Sequence, residues 1–302
     1  MKIAKLIGLL ALTALAACSK INTTSITKVH LDERDSAASC YTAMVPADRP
    51  VDSYLVLIPG FGESADDVLA ATELPVKVAE TGIAVFIPTL QDGVESYSFS
   101  AESQTCLNRI VSDIRSRFDL TETPYFVGGF SMGGAAAVRF AELHTSDRPR
   151  AVFAIDSPLD YERFRYATER DVNVYRKGIA DGDSIYVQLL EDITPLVADS
   201  PYLLSDTTHA AIQPLKDTPV RYYIEPATQW WLDNRHTDVL GLNILDGTAF
   251  INDLRLLGND KAELIVTSGK GYRNGGKTYH PHSWTIVDAA DLIAWLQSHR
   301  AI

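Results

Sequence analysis

The chain has 302 residues, 46% of them hydrophobic, and a formal net charge of −12. A surface of that sign repels phosphate backbones and anionic headgroups, so nucleic-acid binding is not expected. The apolar content is ordinary for a globular core, and neither an internal repeat nor a low-complexity tract marks a second domain.

The first seventeen residues read as a targeting segment. Lys2 and Lys5 precede the short apolar run from Ile7 to Ala17, which is too short to span a membrane and suits a signal peptide. From Ser19 to about Val29 the chain is polar, which reads as a tether over 18–30. The rest, 31–302, suits one large α/β domain.

Ser53–Ile58 is a continuous apolar run, as expected of a strand covered on both faces, and it ends at Pro59-Gly60-Phe61-Gly62. A helix is predicted from about Ala65 to Glu80 and a second buried strand over Ile83–Pro88. Leu107, Ile110, Val111, Ile114 and Phe118 define one face of a helix over 103–118. Strand 125–130 follows, then a helix over 131–144 and a strand over 151–155. Two further strands are predicted at 220–224 and 262–267, and an amphipathic helix at 288–299 closes the chain. Strands alternating with helices argue for a mainly parallel, twisted sheet with helices on both faces. In such a sheet reactive groups gather at the carboxyl ends of the strands.

One strand end carries the strongest signal. Gly128-Gly129-Phe130-Ser131-Met132-Gly133-Gly134 lies between a strand and a helix, with a serine at the apex of the turn. Side chains at the flanking positions would collide with the adjoining backbone, which explains the glycines. Gly129-x-Ser131-x-Gly133 resembles the nucleophile elbow of the α/β-hydrolases. That resemblance implies the α/β-hydrolase fold and a serine hydrolase of the esterase or lipase type, with Ser131 as nucleophile. It also implies an oxyanion hole from the backbone N–H groups of Met132 and Phe61, with Pro59-Gly60 where the family usually has His-Gly. The long segment between strands 151–155 and 220–224 resembles the family's cap insertion, at about 157–218. The chain order nucleophile, acid, histidine puts the base after the last strand. His282 is the choice there and His280 the rival. The acid is expected at Glu225, directly after strand 220–224, with Asp156, Asp233 and Asp238 as alternatives. Trp230, Trp231, Tyr222 and Tyr223 are read as an aromatic cluster near that acid, either packed in the core or lining a pocket.

Leu15-Ala16-Ala17-Cys18 resembles the lipobox of bacterial lipoproteins. It implies lipid attachment at Cys18 and anchoring in the cell envelope, through the lipid and without a membrane span. Cys40 and Cys106 remain, either as a disulfide or as two buried small side chains. No cofactor or metal is implied, and the expected partner is a small-molecule ester. A peptidase, an amidase or a glycan deacetylase on the same fold is one alternative. A non-catalytic envelope binding protein is another.

Overall fold

The computed structural model describes residues 24–31, 40–90, 100–175 and 183–300. Among the described residues, eight strands form one sheet: β1 (Thr24–His30), β2 (Cys40–Pro46), β3 (Ser53–Ile58), β4 (Ile83–Thr89), β5 (Tyr125–Phe130), β6 (Val152–Ile155), β7 (Val220–Ile224) and β8 (Ala262–Val266). Their spatial order is β1-β2-β4-β3-β5-β6-β7-β8. Neighbours from β4 through β8 run parallel, whereas β1 and β2 pair antiparallel with their neighbours.

The central strands are apolar throughout because both of their faces are covered. Tyr54, Val56 and Ile58 of β3 face one layer, while Leu55 and Leu57 face the other. The first layer is built by α3 (Ala101–Arg117), α4 (Met132–Leu143) and α8 (Ile244–Leu256). The second holds α1 (Ala65–Ala71), α2 (Leu74–Ala79) and α9 (Ala289–Ser298). Between β6 and β7 the chain forms α5 (Tyr161–Arg170), a π-helical turn and α6 (Asp183–Ile193), and between β7 and α8 it forms α7 (Thr228–Arg235).

Two expectations are corrected. The polar tether over 18–30 is in part a strand: β1 pairs along its length with β2, from Thr24–Pro46 to His30–Cys40. Its Ser, Thr and Lys side chains suit a sheet edge that is largely exposed. The helix over 65–80 is two helices. Thr72 is extended at φ −152°, and Pro75 lies in the first turn of α2, where its missing N–H costs nothing. Helix α8 falls in a stretch for which no element was predicted. Cys40 and Cys106 are buried thiols and are not joined in a disulfide. The targeting segment and Cys18 lie outside the described residues. No helix among the described residues is long and apolar enough to cross a membrane.

Candidate active site

The sharp turn between β5 and α4 puts Ser131 at φ 54°, ψ −125°, a strained backbone for a residue with a side chain. Its N–H donates to the Ile155 carbonyl at 2.8 Å, which ties the turn to the end of β6. The glycines are there for clearance. A Cβ on Gly129 would lie 2.4 Å from the Gly133 backbone, and one on Gly133 would lie 2.1 Å from the Pro59 carbonyl oxygen.

Ser131 Oγ lies 3.1 Å from His282 Nε2. His282 Nδ1 lies 2.7 Å from Asp156 Oδ2. A carboxylate at Nδ1 fixes the ring proton there and leaves Nε2 as the acceptor facing the serine hydroxyl. Asp156 is 3% exposed and has φ 45°, a second left-handed residue at a strand end. The Phe130 ring stands 4.5 Å from the imidazole and backs it.

The histidine loop is tied down around this contact. A two-stranded hairpin, β9 (Tyr272–Arg273) and β10 (Thr278–Tyr279), leads into it. Arg273 donates from Nε and Nη2 to the His282 carbonyl at 3.0 and 2.7 Å. Ser283 Oγ donates to the Tyr272 carbonyl at 2.7 Å. Glu63 couples the loop to the turn after β3: its Oε2 accepts the Gly60 N–H at 2.8 Å and the Trp284 indole N–H at 3.1 Å.

Glu225 is not at the imidazole, which corrects the expected acid. It is buried at the end of β7, and its Oε1 accepts the Tyr279 hydroxyl at 2.7 Å. Its Oε2 accepts the Lys270 N–H at 2.9 Å and the Thr267 hydroxyl at 3.0 Å. Burial pushes this carboxyl up, but the donors, Tyr279 first, outweigh burial and hold it below the usual carboxylate range. These donors fix the carboxylate against the hairpin instead of the histidine. Asp233 accepts from Gln229 at 2.8 Å, and Asp238 pairs with Arg170 at 2.6 Å.

His280 is also elsewhere. Its ring packs 4.8 Å from Trp230 and 5.6 Å from Trp231, and burial pushes its pKa down to about 3. The expected aromatic cluster is split. Tyr222 and Tyr223 are buried on opposite faces of the sheet, while Trp230 and Trp231 flank His280.

A cavity of about 720 Å³ opens over Ser131 and His282. Gly60, Phe61 and Met132 line it beside the serine, and Phe164, Ala167 and Leu189 line it from the β6–β7 segment. Met132 is the first residue of α4, where backbone N–H groups have no partner within the helix. No cluster of side chains suited to a metal ion occurs among the described residues.

No protein-family model matches the chain, and no curated protein matches it in sequence. Its fold, in contrast, is similar to many solved structures. An S-formylglutathione hydrolase from Staphylococcus aureus aligns over 90% of this chain and 98% of its own, at 14% identity and a TM-score of 0.59. A monoglyceride lipase from Saccharomyces cerevisiae aligns over 92% and 96%, at 15% identity and a TM-score of 0.57. Carboxyl esterase 2 from Tuber melanosporum aligns over 95% and 89%, at 13% identity and a TM-score of 0.57. The chain has the α/β-hydrolase fold.

Sequence reasoning found Ser131 and His282, which the fold brings together from positions far apart in the chain. It held Asp156 only as an alternative, and it did not single out Glu63 or Arg273. Glu63 alone had a local signal, as the acid directly after the Gly60-Phe61-Gly62 turn.

Proposed function

We propose that this chain is a serine hydrolase that cleaves carboxylic esters through an acyl-enzyme on Ser131. The observation that carries the reading is the unbroken contact from Ser131 through His282 to Asp156, at a strained strand-to-helix turn under an open cavity.

Ser131 Oγ attacks the ester carbonyl carbon, and its proton passes to His282 Nε2. The carbonyl oxygen takes up the negative charge and is met by the backbone N–H groups of Met132 and Phe61. Each such donor contributes ~3–4 kcal/mol of transition-state stabilisation. Collapse of this adduct breaks the ester C–O bond, and the departing alkoxide takes the proton from Nε2. Water then attacks the acyl-serine, gives a proton to His282, and the acid leaves as Ser131 is reprotonated. Asp156 holds Nδ1–H and stabilises the imidazolium as it forms. The β6–β7 segment acts as a cap whose Phe164, Ala167 and Leu189 receive the apolar part of the substrate. The similar structures named above carry hydrolase, lipase and esterase names, which supports the same reaction class here.

The lipobox-like Leu15-Ala16-Ala17-Cys18 supports acylation of Cys18 and attachment to a bacterial envelope membrane, facing periplasm or exterior. Metabolic labelling with a fatty-acid analogue tests it: wild type labels and Cys18→Ser does not. For the chemistry, a fluorophosphonate probe labels wild type and spares Ser131→Ala, and p-nitrophenyl ester hydrolysis is lost with the label. Wild type that neither labels nor hydrolyses any ester contradicts the proposal.

A further inference from the structure

A largely buried polar chain runs from helix α5 through the half-buried Asn243 to the carboxylate that meets His282. Asn243 sits just before α8 and lines the cavity. Its side-chain Nδ2 donates to the Asp156 carbonyl at 2.9 Å and to Asp156 Oδ1 at 3.0 Å. Both amide protons therefore go to one residue. The Asn243 Oδ1 atom accepts from Arg163 Nη2 at 3.2 Å. That contact fixes the direction of the amide, since a flipped amide would set its oxygen against the carboxylate and its NH₂ against the guanidinium.

Arg163 is itself immobilised. It is 6% exposed and donates from Nη1 to the Leu240 carbonyl at 2.8 Å. Its Nη2 also reaches Asp246 Oδ2 at 2.7 Å, and its Nε bonds Asp246 Oδ1. Asp246, fully buried, accepts the Leu159 and Asp160 N–H groups at 3.0 and 3.1 Å. Removing one partner of such a buried pair leaves the other uncompensated, so the two side chains hold each other in place.

Asp156 needs such an anchor. Its backbone is in the left-handed region, and its two carboxylate oxygens have different tasks: Oδ2 holds His282 Nδ1 while Oδ1 faces Asn243. We propose that Asn243 is a positioning residue for the reaction, aiming Oδ2 of Asp156 at His282, with Arg163 of α5 fixing the amide that does so. The inference rests on the serine-hydrolase reading above. It makes the β6–β7 segment part of the catalytic alignment as well as a wall of the cavity.

The test uses Asn243→Leu, which removes the amide at similar size, and Asn243→Asp. The aspartate keeps an oxygen for Arg163 but puts a second carboxylate where a donor stood. If the leucine variant does not fold, the aspartate variant still reads the proposal. Both are expected to lose about tenfold or more in kcat, the scale of one hydrogen bond to a charged group. KM stays within about twofold, because the interaction matters in the transition state and not in binding. In parallel, the far-downfield proton resonance of His282 Nδ1–H is present in wild type and shifts or vanishes in both variants. That signal reads the Asp156–His282 bond whether or not esters are turned over, and Ser131→Ala separately tests the hydrolase reading. Wild-type kcat in either folded variant overturns the inference. So does an unmoved resonance in the variants, or a wild type without the resonance.

Discussion

Two buried carboxylates stand at the ends of adjacent strands, Asp156 after β6 and Glu225 after β7. Only one of them meets the histidine. Asp156 sits at φ 45° with one oxygen on Asn243 and the other on His282. Glu225 gives its oxygens to Tyr279, Lys270 and Thr267, all near the hairpin that leads to the histidine loop. The comparison teaches that an acid's role follows from which donors reach it, not from its place after a strand. One carboxylate meets the imidazole, and the other braces the loop that carries it.

Asp156→Asn is expected to break the comparison hardest. It keeps the shape but favours the wrong imidazole tautomer, so kcat should fall by about 10³- to 10⁴-fold, read with a p-nitrophenyl ester at saturating concentration. Glu225→Gln should have the opposite profile. Activity stays within about tenfold of wild type, while denaturant unfolding shows a loss of about 1–3 kcal/mol, the cost of weakening charge-assisted bonds. The sign with pH follows from the depressed Glu225 pKa. Its stabilising effect is full above the usual carboxylate range and is lost as pH falls through the folded-state value. The gap between wild type and Glu225→Gln should therefore close on acidification.

Tyr279→Phe sharpens the same point with a smaller change. It removes the donor to Oε1 and should cost about 1 kcal/mol in urea unfolding, while moving the acid loss of stability to higher pH. A variant that leaves both unchanged would mean the hairpin does not depend on Glu225. The smallest effect on activity is expected at His280. Its folded pKa of about 3 lies below the usual value of 6.5, so protonation opposes folding between those pH values. His280→Phe should keep ester turnover near wild type, and its Tm relative to wild type should rise as pH falls from 6.5 toward 3.

The elbow was legible because sterics write it into the residues: only glycine fits where the Gly133 Cα meets the Pro59 carbonyl. The central strands were legible because burial on both faces makes them apolar end to end, as in β3 and β4. β1 was not, since an exposed edge strand of Thr, Ser and Lys looks like a tether until β2 pairs with it. The acid was misread for a related reason. Its identity depends on the backbone angle at Asp156 and on donors from residues 243 and 267–279. None of these leaves a mark in the few residues around Glu225.

The most direct measurement is the rate and location of fluorophosphonate labelling, by intact-protein and peptide mass spectrometry, in wild type, Asp156→Asn and Glu225→Gln. A single adduct on Ser131, forming at similar rates in wild type and Glu225→Gln and far more slowly in Asp156→Asn, is the predicted result. An adduct on another residue, or slow labelling in Glu225→Gln with Asp156→Asn unaffected, would contradict the assignment of the reacting chain.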